Sequence, residues 1–255
     1  DKVFMLAETY DDFFEVYNHE IIGIGGIENQ SYLLYLSSFL SDFAVMEAYK
    51  AIQKTYKDDD WINHELNLAF RYHKYHFPNK ELPRIVAFNG GFNHSVITID
   101  GFVGVGLDKY LGAECELYDM LSIPDFARIE MEPVRIPFDV LKAHAMMEFP
   151  INDSVDNLIN NMIYNGMILY FLDACFPKHE DAIKIAYTEN QINYCRNFEK
   201  DMWTYLVSNK LLFSTDYLKI RKFTDSAPFT ADFGNDSPPR TGIWLGWQIG
   251  RSYMQ

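Results

Sequence analysis

The sequence predicts an α+β protein that is predominantly helical and contains one small antiparallel sheet. Apolar residues recur at helical spacing over most of the chain, and three short runs rich in β-branched residues lie together near its middle. With 255 residues, 48% of them hydrophobic, the chain can bury a sizeable core. We expect a single compact domain over residues 1–255, with a helical part at 1–80 and the sheet plus core helices at 81–255.

Composition narrows the class of function. The net charge is −14, from 22 Lys and Arg against 36 Asp and Glu, and this acidity repels nucleic acid and anionic membrane surfaces. Nucleic acid is therefore not an expected partner. No run of about 18 apolar residues occurs, so no segment is expected to span a bilayer. The three cysteines, at positions 115, 175 and 195, lack the spacing of a zinc site. Two alternatives stay open: all three are free thiols, or two of them form a disulfide.

Helical periodicity covers roughly the first 77 residues. Helices are predicted at Leu33 to Leu40, Phe43 to Tyr56 and Trp61 to Phe77, with breaks at Gly23 to Gly26 and Lys57 to Asp60. The third helix contains His64-Glu65, which begins like the HExxH zinc motif, but Leu68 stands where the second histidine would be. We interpret it as a solvated amphipathic helix and expect no metal site.

The sheet is predicted in the middle of the chain. Strands are expected at Pro83 to Phe88, His94 to Asp100 and Phe102 to Leu107, because these runs alternate or stay apolar and contain β-branched residues. Asn89-Gly90-Gly91 and Asp100-Gly101 separate them with turn residues. The short connections favour antiparallel pairing.

Helices resume after three prolines, at positions 124, 133 and 137. They are predicted at Phe138 to Glu148, Ser154 to Phe176, Glu189 to Val207 and Asp216 to Phe223. The second begins near Asn152-Asp153 and carries a continuous apolar stripe, which is typical of a core helix. The third opens with Thr188 as N-cap and Gln191 three residues later, a capping box.

The chain ends in a glycine-rich helix predicted to run from an N-cap at Ser237 to Met254. Gly242, Gly246 and Gly250 share one face at i, i+4 and i+8, and each costs about 1 kcal/mol relative to alanine in a helix interior. Close approach of another backbone would offset that cost. Trp244, Trp247 and Arg251 lie on a neighbouring face and, with Gln248, are candidate binding residues if they are exposed; core packing of the tryptophans is the alternative.

Few residues suggest catalysis. Asp108 and Tyr110 follow a predicted strand, and Glu189 opens a helix, so these three are the catalytic candidates. For Asp108, however, the favoured interpretation is a cap of the next helical turn. The order of sheet then core helix also occurs in zincin metallopeptidases. On that helix, however, Asn161 and Asn165 stand where two metal ligands would be, with Met162 in place of a general base. We expect no metal and no cofactor, and take the two asparagines as groove residues.

Several ordered motifs together resemble one family, that of the gliding-motility lipoprotein GldB. They are Gly106-Leu-Asp-Lys-Tyr-Leu-Gly112, Asn161-Met-Ile-Tyr-Asn-Gly166, Tyr187-Thr-Glu-Asn-Gln191, Leu212-Phe-Ser-Thr-Asp216, Ala227-Pro-Phe-Thr230 and the closing Gly242 to Met254 segment. The resemblance implies a bacterial, Bacteroidetes-type lipoprotein of the cell envelope, at the outer membrane on its periplasmic or surface side. An acylated cysteine upstream of Asp1 would be its only link to the membrane. It also implies a zincin-like core without the catalytic motif.

Two functions follow. The first is a non-enzymatic binding or assembly protein, with a groove between the sheet edge, the core helix and the Trp244, Trp247 and Arg251 face that holds a peptide or another envelope component. The second is an envelope hydrolase acting on peptides or peptidoglycan, with Asp108, Tyr110 or Glu189 near the reactive centre. Because the HExxH motif is absent, the first is favoured.

Overall fold

A computed structural model describes residues 2–152 and 154–254. Within those residues the chain forms thirteen α-helices, five short 3₁₀ or π turns and one three-stranded sheet. The elements in order are α1 Lys2–Tyr10, α2 Asp12–Val16, α3 Tyr32–Ser41, α4 Phe43–Thr55, α5 Asp60–His76, β1 Arg84–Phe88, β2 Val96–Ile99, β3 Phe102–Gly106, α6 Glu116–Met120, α7 Asp125–Arg128, α8 Ile136–Glu148, α9 Leu158–Cys175, α10 Asp181–Ile185, α11 Glu189–Ser208, α12 Tyr217–Thr224 and α13 Thr241–Met254.

The chain divides into two compact units. The first consists of residues 1–66, 80–123 and 131–144, and the second of residues 67–79, 124–130 and 145–255. The expectation of a single domain stays a prediction. The α+β class is confirmed, since a small sheet accompanies a mainly helical chain.

The sheet of the first unit is mixed, so the prediction of a purely antiparallel sheet is wrong. β3 lies in the centre, antiparallel to β2 across the Asp100-Gly101 turn and parallel to β1. β3 takes the centre because all five of its residues are buried. Gly104 is needed there, since a Cβ at that position would lie 2.6 Å from the ring of Phe13. Phe13 packs with Phe88 and Phe102 to form a core over the sheet.

The second unit is organised by a close crossing of α9 and α13. A Cβ added to Gly246 would lie 1.8 Å from the carbonyl oxygen of Met162, and one added to Gly166 would lie 2.2 Å from the carbonyl carbon of Gly246. The two backbones therefore touch at this point. The prediction that the glycines of the last helix admit another backbone is confirmed for Gly246, which meets α9, and for Gly242, where a Cβ would lie 2.8 Å from the carbonyl oxygen of Phe223. It is not confirmed for Gly250, whose neighbour is a side chain.

Side-chain caps set the start of several helices. The predicted capping box of α11 is present: the Thr188 N–H donates to Gln191 Oε1 at 2.9 Å, and the Gln191 N–H donates to Thr188 Oγ1 at 3.3 Å. The core helix begins later than predicted, at Leu158, because Asn157 caps it by accepting a hydrogen bond from the Asn160 N–H. Asp153, in the predicted start of that helix, and Asp1 lie outside the described residues.

The last helix also begins later than predicted, at Thr241, so Ser237 is not its N-cap. Arg240 has φ +54°, a left-handed conformation that an α-helix cannot contain, and it follows two prolines. Ser237 instead donates to the carbonyl oxygen of Thr230 at 3.0 Å and accepts from the Thr230 N–H at 3.1 Å. These bonds close the loop that precedes α13.

We predict that Gly246→Ala lowers the free energy of unfolding by about 2 to 4 kcal/mol, because the added methyl group forces α9 and α13 apart. Gly250→Ala is the matched control on the same helix. There the added Cβ would meet only the flexible Met167 side chain, with its sulfur 2.9 Å away, and helix propensity improves by about 1 kcal/mol. Chemical denaturation measures both. Equal stability of the two variants would contradict the close crossing.

Candidate functional site

A groove of about 690 Å³ lies in the second unit, between the carboxyl-terminal half of α5 and that of α9. Its volume falls in the range of small-ligand and peptide sites. We call it the tyrosine groove. It is lined by Leu68, Arg71, Tyr72, Tyr75 and His76 from α5 and by Tyr170, Asp173, Ala174 and Pro177 from α9 and the turn after it.

Helical spacing explains why these side chains converge. The five groove residues of α5 follow i, i+3, i+4, i+7 and i+8, and the four from Tyr170 onward follow i, i+3, i+4 and i+7. Each set is therefore one helix face. Tyr75 is 81% exposed, and Arg71 and His76 are also exposed. The groove thus combines aromatic rings with solvent-facing cationic or ionisable groups.

One side of the groove is held by a charge cluster around Asp173. The guanidinium of Arg251 donates to both carboxylate oxygens of Asp173, at 2.7 and 2.8 Å, and Trp247 Nε1 donates at 2.9 Å. Lys184 Nζ adds a contact at 2.8 Å, and Arg251 also forks onto Asp181, at 2.7 and 3.0 Å. We call these five residues the Asp173 cluster. It ties α9, α10 and α13 together.

The cluster is structural rather than reactive. The hydrogen bonds from Arg251 hold the pKa of Asp181 below its usual range. Asp173 accepts four hydrogen bonds, so its carboxylate has little capacity left for a ligand. Arg251 also stacks over the Trp247 ring, with its guanidinium carbon 3.8 Å from the ring centroid.

The tryptophans of α13 are core residues. Trp244 is 1% exposed and Trp247 is 0% exposed, and their rings meet edge to face at 5.8 Å. Of the two alternatives left open by the sequence, these exposures support core packing of the tryptophans, because the glycine crossing draws this part of α13 into the interior. Gln248 is half-buried, and Arg251 is engaged in the Asp173 cluster.

The two asparagines of α9 also serve the helix itself. Asn161 Nδ2 donates to Asp156 Oδ1 at 2.8 Å and to the carbonyl oxygen of Asn157 at 2.9 Å. Asn165 Nδ2 donates to the carbonyl oxygen of Asn161 at 2.9 Å. Neither lines the tyrosine groove.

The three catalytic candidates do not come together within one unit. Asp108 and Tyr110 are buried in the first unit, whereas Glu189 is an exposed residue of the second. Tyr110 donates to Asp139 Oδ2 at 3.0 Å, and Asp139 is paired with Arg135 at 2.6 Å. Asp108 accepts a hydrogen bond from the Phe92 N–H and so fixes the loop after β1. Burial raises the pKa of both Asp108 and Tyr110.

A buried histidine escaped the sequence reasoning. His73 of α5 is fully buried, and its Nε2 lies 3.3 Å from Oε2 of Glu148, which belongs to α8 and is also in the second unit. An imidazole beside a carboxylate has the chemistry of a pair of metal ligands. The pairing of two residues 75 positions apart could not be read from the sequence.

Two of the three cysteines are poor nucleophiles. Cys115, Cys175 and Cys195 are free thiols, which resolves the alternatives left open by the sequence. Burial raises the pKa of Cys175 to about 12 and also raises that of Cys195. Both therefore stay protonated at neutral pH, and a protonated thiol is a poor nucleophile.

Fold and site together define a helical α+β protein with an aromatic groove and a polar interior occupied by structural bonds. A family model described as gliding motility protein GldB matches residues 1–255, the whole chain, so the chain belongs to the GldB family. This is a lipoprotein family, which indicates a cell-envelope location. No curated protein and no solved structure matches the chain. Among the described residues, no helix combines the length and apolar character needed to cross a bilayer.

We predict that Arg251→Met lowers the free energy of unfolding by about 2 kcal/mol at neutral pH, because charge-assisted hydrogen bonds to two carboxylates are lost. The pKa of Asp181 is lowered in the folded state, so this stabilisation is present above its unfolded pKa of about 3.9 and fades as the pH falls through the folded pKa. The difference in the free energy of unfolding between this variant and the unsubstituted protein should therefore become smaller as the pH falls.

Denaturation across that pH range measures the effect. Arg196→Met is the control, because Arg196 reaches the same Asp181 carboxylate at 3.6 Å but is 55% exposed. An exposed pair contributes about 0 to 1 kcal/mol. A loss from Arg251→Met that does not change with pH would count against the assigned role of Asp181.

Proposed function

We propose that this chain is a non-enzymatic, lipid-anchored binding or assembly protein of the cell envelope, with the gliding-associated role of its relatives. In this proposal the tyrosine groove holds a peptide segment of an envelope partner. The observation that carries this proposal is the groove itself, in which three tyrosines surround the exposed Arg71. Tyrosine supplies large contact area at low entropic cost and is enriched at protein interfaces.

The charges of the groove indicate the kind of segment it would hold. Asp173 is neutralised by Arg251 and Lys184, while Arg71 remains solvent-facing. A guanidinium beside aromatic rings suits a carboxylate of the peptide, which it can bind bidentately, and the tyrosine rings suit the neighbouring apolar groups. We therefore expect a short segment that carries an acidic side chain or a free carboxyl terminus.

The residue after His144 on α8 supports a binding role over catalysis. In HExxH helices a glutamate follows the first histidine and takes a proton from water. On α8, Ala145 follows His144, and Glu148 stands where the second histidine would be. Kinship with zincins is consistent with that spacing, and the alanine is a reason to expect that hydrolysis has been lost.

Site-specific photo-crosslinking tests the groove. With benzoylphenylalanine in place of Tyr75, we expect a discrete crosslinked envelope product, because this side chain sits at the groove mouth. The same group in place of Tyr253, which is 85% exposed in the same unit, is the control and should give no such product. Adding Arg71→Ala should reduce the Tyr75 product at least about fivefold, as loss of an interface arginine typically does. Equal crosslinking from both positions would contradict the proposal.

A hydrolase is the alternative function, and the buried pair of His73 and Glu148 is the observation that favours it. Such an enzyme would hold zinc at these side chains. Stoichiometric zinc in the purified protein, together with a peptidase activity that a chelator removes and His73→Ala abolishes, would overturn the non-enzymatic proposal. Zinc without peptidase activity would leave a structural metal in a binding protein.

A further inference from the structure

α3 is an apolar helix that the first unit leaves largely uncovered. Its ten residues contain no charged side chain, and of these only Tyr32 is buried. Leu33 is 69% exposed, Leu34 68% and Leu40 54%. A surface helix normally turns its apolar stripe to the core and charged residues to water. Here Leu33, Leu34 and Leu40 face outward, with no charged residue on the helix to offset them.

Two further helices add exposed apolar residues. Val3 and Ala7 of α1 and Leu36 of α3 pack against the same buried cluster, which contains Tyr32. Phe4 and Met5 of α1 are 62% and 59% exposed. Phe43, which opens α4 directly after α3, is 70% exposed. We call Leu33, Leu34, Leu40, Phe4, Met5 and Phe43 the α3 surface. Exposed apolar residues gathered on elements that share one cluster mark an interaction site rather than ordinary scatter of surface hydrophobes.

We propose that the α3 surface rests on a lipid bilayer and is the side of the first unit that faces the membrane, so that the acylated cysteine expected from the resemblance would not be the only link to the membrane. The charge distribution argues for lipid. The chain carries −14 overall and is repelled by anionic surfaces, yet α3 carries no charge. This helix can therefore approach headgroups with less electrostatic cost than the acidic remainder of the chain, and helices that lie in the interface bury their apolar side chains about 5 to 10 Å deep.

Exposed tyrosines on α3 and α4 also favour a lipid bilayer as the occupant. The non-aliphatic residues of α3 include Tyr35, which is 47% exposed, and α4 adds Tyr49 at 52%. Tyrosine is favoured at membrane interfaces, where its ring is buried and its hydroxyl stays wet. Membership of a lipoprotein family adds a physical reason for proximity, because tethering raises the effective concentration of the surface at the bilayer. A weak intrinsic affinity of the α3 surface for lipid is then sufficient to keep it on the bilayer.

The proposal is separate from the tyrosine groove, which lies in the second unit. Vesicle binding by the unacylated 255-residue chain tests it, first with phosphatidylcholine vesicles and then with vesicles that also contain phosphatidylglycerol. We expect binding to the neutral vesicles that is insensitive to salt, and weaker binding to the anionic ones. Leu33→Asn combined with Leu34→Asn should reduce partitioning at least about tenfold, because two apolar side chains lose their burial.

The control is Tyr217→Asn combined with Leu218→Asn, since these residues of α12 are 64% and 70% exposed but lie in the second unit. Thermal unfolding confirms that each variant is folded. Failure of the unsubstituted chain to bind neutral vesicles, or equal binding by the α3 double variant, would overturn the proposal. So would a concentration-dependent dimer that the same double variant abolishes, because a second copy would then be the occupant. Arg71→Ala should leave vesicle binding unchanged.

Discussion

The contact between the backbones of α9 and α13 is the constraint on which the second unit depends. Gly166 and Gly246 meet where no side chain fits, and this fixes both the distance and the register of the two helices. Asp173 lies two turns beyond Gly166, on the same face, and Trp247 and Arg251 follow Gly246 on α13. The crossing thereby brings the Asp173 carboxylate to the indole and the guanidinium. Packing comes first, and the charge cluster is its consequence.

That order has a consequence for function. Polar residues that the crossing brings together are consumed in structural bonds, as Asp173, Asp181 and Arg251 show. A buried charge is tolerated only when it is paired in this way, so such groups are poor candidates for ligand contact. The tyrosine groove in one unit and the α3 surface in the other lie instead on the outer faces of the helices, where side chains are free to meet a partner.

Sequence reasoning succeeded where the determinants are local. The helix classes, the Thr188 capping box and the glycine face of the last helix all depend on residues within a few positions of one another. It failed where strand pairing or burial depends on residues that are far apart in the sequence. The parallel pairing of β1 with β3 depends on which strand is buried on both faces, and the burial of Trp244 and Trp247 depends on a glycine about 80 residues earlier.

The same distinction between local and distant determinants applies to the candidate site. The i, i+3, i+4 spacing of Leu68, Arg71 and Tyr72 could be read from the sequence, but not that it faces Tyr170 of another helix. Likewise His73 appeared to belong to a solvated helix and is fully buried. A single amphipathic pattern does not specify which partner covers it, so side-chain exposure is the quantity that a sequence defines least.

Native-state hydrogen exchange measures most directly whether the glycine crossing governs the second unit. If it does, the interior amides of α9 and α13 exchange only through global opening of that unit, so their opening free energies are equal and are the highest in the unit. The amides of α12 and of the loop at 225–240 then exchange with lower opening free energies. An α13 that exchanges at a clearly lower free energy than α9 would contradict the account, because the two helices would then separate without unfolding the rest.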